Sequence, residues 1–138
     1  MTQEIEKMKH HPNWLRFMYV YTIFGAGGIG LGLLVIPSTM MSLLGIPTEE
    51  PIVAGVVYSA WLAFGILSIL GLRSPLKFAP VLLLQLTYKV VWFAAVIAPK
   101  AVSGNLPSFA ITMSAIFASF VIGDIVAIPW KYIIAKSN

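Results

Sequence analysis

The sequence predicts an all-α fold: a polytopic membrane protein with four transmembrane helices in an antiparallel bundle. Three observations carry this expectation. Hydrophobic residues fill 59% of the 138 positions and charged residues only 10%, against about 25% charged in soluble domains. The apolar residues gather into runs of about 20, the length that crosses a hydrocarbon core at about 1.5 Å per residue. Between the runs stand Pro, Ser and Gly, which start and stop helices.

In chain order the predicted spans are 17–36, 52–72, 76–98 and 109–130, within one transmembrane domain of 15–134. Residues 1–14 form a polar segment ahead of it and 135–138 a short tail. The amino-terminal segment mixes acidic and basic residues without a small-residue cleavage site, so it does not read as a secretory signal. Ser74-Pro75 and Pro107-Ser108 read as helix starts, with Pro preset for the first turn and Ser able to cap. The segment "PSTMMSLLGIP" has Pro37 at its front, Gly45 past its end and Pro47 beyond. It predicts a short helix lying in the membrane interface.

Orientation follows from basic residues in the flanks. Lys7, Lys9, Arg16, Arg73, Lys77, Lys131 and Lys136 share one side and Lys100 stands alone on the other, which predicts both termini in the cytoplasm, of a bacterial inner membrane. Trp14, Tyr19, Trp130 and Tyr132 fall near that boundary, where amphipathic rings settle. The net charge of +4 is spread among the spans and forms no dense basic patch, so nucleic acid is not expected as a partner. The expected surroundings are the lipid bilayer, with a homodimer mate or a membrane-complex partner as further candidates.

Several chemistries are excluded or poorly supported. The chain has no cysteine, which removes disulfides and thiolate metal sites. His10 and His11 are the only histidines, adjacent in the polar segment and without a carboxylate at helical spacing; no metal site is predicted. No serine has a histidine at hand for a Ser-His-Asp arrangement, so no catalytic residues are assigned and no cofactor is named. "GAGGIG" at 25–30 fits the dinucleotide pattern only literally, since that motif needs a strand before it. Its residues read instead as a packing face, Gly28 and Gly32 forming GxxxG and Ala26 and Gly30 repeating the spacing. Ser119 and Gly123 continue such a face in the fourth span, between Ala115 and Ala127, and Gly55, Ser59 and Ala63 do so in the second.

Lys89 and Asp124 are the formal charges well inside spans. A charge at a helix centre costs roughly 2.5–3.5 kcal/mol on insertion scales. Side chains lean toward their helix amino terminus, so in antiparallel neighbours these two lean toward each other and are expected to pair, directly or through water. Because a buried ion pair is often no more stable than an apolar pair of equal volume, the pair also marks a candidate ligand, ion or proton site. Gln85, Tyr88 and Trp92 lie near Lys89 on its helix, and Tyr58, Trp61, Gly65 and Ser68 form one face of the second span at spacings of three and four. If those faces meet, they enclose a pocket with apolar walls and few polar groups. Pro129 cannot donate to the carbonyl of Ile125, leaving a free acceptor beside Asp124. Glu49 and Glu50 read as a solvated outer loop.

The run "LLVIPSTMMSLLGIP" at 33–47, with its glycines and the four-span plan, resembles the small DoxX-like four-helix membrane proteins. Some of these are linked to respiratory or redox complexes, so the resemblance implies an accessory membrane subunit; it carries over no functional residue. The residues themselves point first to a protein that binds or translocates a small or lipophilic molecule or a proton at Lys89 and Asp124, with an accessory subunit as the alternative.

Overall fold

The computed structural model of the protein describes residues 12–48 and 50–137. Lys7, Lys9, His10, His11 and Glu49 lie outside them. Four long apolar helices are present: α1 (Asn13–Val35), α3 (Pro51–Arg73), α4 (Pro75–Val102) and α5 (Ser108–Ala127). Between the first two sits the short α2 (Pro37–Leu44), and α6 (Trp130–Ile133) ends the fold. Their outward faces are apolar, including Phe24, Ile52, Val53 and Ile111. Length, composition and this apolar exterior make the chain an integral membrane protein.

The ends of the helices differ from the predicted spans for local reasons. α5 stops at Ala127 and not near 130, because Ile128 takes an extended conformation (ψ 128°) ahead of Pro129, as residues before proline prefer. The acceptor expected on Ile125 is real and is taken by the indole N–H of Trp130 at 2.9 Å. α4 runs on to Val102, past the predicted 98, with Pro99 following a π-helical turn at Phe93–Ile97. α2 ends as predicted, with Gly45 at φ +68°, a conformation that glycine adopts without a Cβ clash. The hydroxyl of Ser74 makes no capping bond. The cap of α3 comes from Glu50 instead, whose carboxylate accepts from the amides of Ile52 and Val53, both at 2.8 Å.

The helices alternate in direction around the bundle. α1 meets α3 where Gly65 lies against Gly27; a Cβ on Gly65 would stand 2.5 Å from the Gly27 Cα. Higher on the same pair, a Cβ on Gly30 would stand 2.7 Å from the Leu62 nitrogen and the Tyr58 oxygen. Glycine at these positions lets two backbones touch. α1 meets α5 through Met18 on Gly123 and through Tyr21, whose hydroxyl lies 2.6 Å from Ser119 Oγ. Ser119 donates its own proton to the Ile116 carbonyl, so Tyr21 is the donor. Tyr88 stacks on Phe64 between α4 and α3, and Trp92 packs edge-on to Phe117 between α4 and α5.

Two expectations change. Gly28 points to open space and Gly32 receives Met40 of α2, so of the expected glycines Gly30 is the one that meets α3, joined by Gly27. A π-helical turn at Ile23–Gly27 places Gly27 on the buried side together with Ala26. Tyr19 is fully buried and does not sit at the lipid boundary. Its ring occupies the space left by Gly71, and its hydroxyl donates to the Pro75 carbonyl at 2.5 Å.

Two predictions follow from this packing. Gly65→Ala should destabilise the bundle by about 1–3 kcal/mol, the usual cost of overpacking, because the atom it meets is backbone. Gly28→Ala should be neutral or slightly stabilising, since alanine favours helix; unfolding in mixed micelles checks both. The two backbone amides hold the Glu50 carboxyl below its ordinary value. Its contribution should therefore be complete above about pH 4.3, the usual glutamate pKa, and fade as pH falls through the lower folded value. Hydrogen exchange at Ile52 and Val53 should separate Glu50→Ala from the unsubstituted protein at neutral pH and converge in acid.

Candidate functional site

Each long helix sends one polar side chain to the same depth. Thr22 of α1, Ser68 of α3, Gln85 of α4 and Asp124 of α5 are all 0% exposed. Gln85 Nε2 donates to Asp124 Oδ2 at 3.0 Å and to Thr22 Oγ1 at 3.2 Å. Thr22 passes its own proton to the Met18 carbonyl, one turn back, at 2.7 Å. Ser68 falls at this level because Gly65 and Gly71 on either side of it pack on Gly27 and Tyr19 of α1. Beneath the layer the terminal side is filled by Leu15, Met18, Leu82, Ala127 and Ile128, all buried.

Lys89 lies one helical turn from Gln85 and is 1% exposed. With Gln85 level with Asp124, antiparallel α5 brings Phe120 level with Lys89. The Lys89 ammonium stands 4.6 Å from the Phe120 ring centre, 4.4 Å from Tyr88 and 5.1 Å from Phe117. These distances fall within the roughly 6 Å over which a cation is attracted to a ring face. Lys89 Nζ has no hydrogen-bonding partner, and neither has Asp124 Oδ1, Gln85 Oε1 or Ser68 Oγ. Of the pairing expected from sequence, directly or through water, the direct Lys89 to Asp124 hydrogen bond is not formed: Gln85 donates to Asp124, and the amine sits in a cage of rings.

Hollow space flanks this cage. A chamber of about 20 Å³ is lined by Lys89, Trp61, Tyr88, Phe117, Phe120 and Gly25, among others; that is enough for one water-sized group. Beyond the rings, a cavity of about 330 Å³ is bounded by Tyr58, Trp61, Tyr88, Trp92, Phe109 and Phe117. On the other flank, between α1 and α5, an apolar groove of about 480 Å³ runs along Phe17, Val20, Phe24, Ile29, Ile116 and Phe120.

The predicted lining residues therefore divide. Tyr58, Trp61, Tyr88 and Trp92 share the larger cavity, while Lys89 borders the small chamber. Gln85, Asp124 and Ser68 belong to the polar layer, and Ser68 lines neither hollow. Sequence reasoning missed Thr22, Phe117 and Phe120. Thr22 had a signal, as the polar residue of its span at matching depth. Phe117, Phe120 and Asp124 follow spacings of three and four, which puts them on one face. No family model, curated protein or solved structure matches the chain.

Replacing Gln85 with Met leaves Asp124 without its donor. The cost should be about 1–3 kcal/mol, that of an unsatisfied buried acceptor, and Gln85→Met with Asp124→Leu should recover part of it. A double-mutant cycle measured by unfolding in mixed micelles reads the coupling.

Proposed function

We propose that this integral membrane protein binds, and in doing so can move, a small lipophilic molecule whose polar end is received at Lys89 and Asp124. The observation that carries the reading is that four of the buried polar atoms without hydrogen-bond partners fall together, on Lys89, Asp124, Gln85 and Ser68. Buried polar atoms are otherwise nearly always hydrogen-bonded; Lys89 borders the small chamber and the other three lie in the polar layer one turn below it, an arrangement that suits a site receiving a ligand or water. The rings of Trp61, Tyr88 and Phe117 supply the apolar wall that small-molecule sites have. The termini belong on the cytoplasmic side of a bacterial inner membrane in this reading, by the distribution of basic residues.

Native mass spectrometry of protein extracted with its lipids tests it. The unsubstituted protein should retain a small molecule that Lys89→Met with Asp124→Leu releases, while the double variant unfolds at a similar or higher temperature, as apolar replacements of buried ionic groups often do. Full retention of every bound molecule by the folded double variant would sink the reading.

A second reading, an accessory subunit or homodimer of the DoxX-like kind, is favoured by uncovered small residues. A Cβ on Gly28 or Gly55 would meet nothing within 4 Å, and Ser59 and Ala63 are exposed. Such faces let a further helix approach closely.

A further inference from the structure

We infer that the ligand enters sideways from the bilayer, between α1 and α5, through a door made by the ring of Phe120, and that it is a single-chain amphiphile with a carboxyl head that Lys89 receives. This rests on the site proposed above and adds a route and a ligand class.

The route follows from how α1 divides its contacts. Its first half packs on α5 through Met18 on Gly123 and Tyr21 on Ser119, and its second half packs on α3 through Gly27 and Gly30. Beside Tyr21, along Phe17, Val20 and Phe24, the apolar groove opens between α1 and α5. Its floor and the Lys89 chamber share Gly25, Ile29, Ile116 and Phe120. Among these Phe120 is the ring that touches the ammonium, at 4.6 Å from its centre. That ring rests over Gly25, where even a Cβ would come within 2.7 Å of Phe120 Cζ. A side chain at 25 would jam the ring; glycine leaves it space to swing. The opposite wall is stiffer. Trp61, Tyr88 and Trp92 all pack against Phe117, and Tyr88 also stacks on Phe64.

The head group follows from charge and size. Lys89 offers donors, has no hydrogen-bond acceptor and is 1% exposed, so the matching group is an acceptor such as a carboxyl oxygen. A chamber of about 20 Å³ has room for one oxygen-sized group, as a carboxyl head offers. The groove along Phe17, Val20 and Phe24 is apolar and faces outward, as a hydrocarbon chain requires.

Dodecanoic acid, titrated into protein held in nanodiscs and counted by native mass spectrometry, is the probe. The unsubstituted protein should bind one molecule, Lys89→Met should weaken binding at least tenfold, and dodecyltrimethylammonium should not bind. Phe120→Ala should speed uptake several-fold and Gly25→Leu should slow it. Should Gly25→Leu fail to fold, Phe120→Ala alone still reads the door. Unchanged uptake in Phe120→Ala, unchanged affinity in Lys89→Met, or equal binding of the ammonium amphiphile would overturn the inference. If dodecanoic acid does not bind while another molecule is retained and then released by the Lys89 and Asp124 double variant, this inference falls and the site itself stands.

Discussion

The side-chain amide of Gln85 is the constraint on which the rest of the bundle depends. An amide nitrogen has two protons to give, and Gln85 directs its nitrogen toward both Asp124 and Thr22. Three helices are thereby fixed at one relative depth, in surroundings where a lost hydrogen bond is not replaced by water. Apolar packing alone leaves neighbouring helices free to slide, because lipid tails compete equally for a leucine. A polar layer with one member from each helix removes that freedom. Once Gln85 is level with Asp124, Lys89 must be level with Phe120, and the aromatic cage follows.

Close approach on one side of the bundle makes room on the other. Gly27, Gly30 and Gly65 bring α1 against α3 backbone to backbone, and this draws the second half of α1 away from α5. The hollow between α1 and α5 is thus the counterpart of the glycine contact. A single phenylalanine over a glycine closes it from the inside. The tight side is built of small residues; the loose side has large rings with the chamber and the groove between them. Shape complementarity, not hydrophobicity, distinguishes them, since both sides are apolar.

Much of this was legible in the sequence. The four spans, the short helix with its Pro37 start and Gly45 stop, and the buried face of Tyr58, Trp61, Gly65 and Ser68 all follow from period and punctuation. What stayed hidden depended on rotation and register. Gly28 and Gly27 are equally good candidates by spacing, and only the π-helical turn at Ile23–Gly27 decides which one faces α3. Tyr19 has the depth of a boundary aromatic, yet Gly71 on another helix makes room for it in the core. The direct donor to Asp124 was hidden for a similar reason: charge points to lysine, whereas one turn of register gives the direct hydrogen bond to Gln85.

That exchange changes what Lys89 means. A lysine retained only to fix helix register would need a directional bond to its mate, and here Gln85 already performs that service for Asp124. Ring faces attract the ammonium without fixing it, worth about 2 kcal/mol or more when desolvated, and no hydrogen bond orients it. Burial of a cation is tolerable only with compensation, and three rings give part of it while leaving its protons unspent. Lys89 is therefore held in place beside the small chamber but not saturated. Such a group is costly for stability, and in the proposed reading an arriving acceptor gains a hydrogen bond without first breaking one.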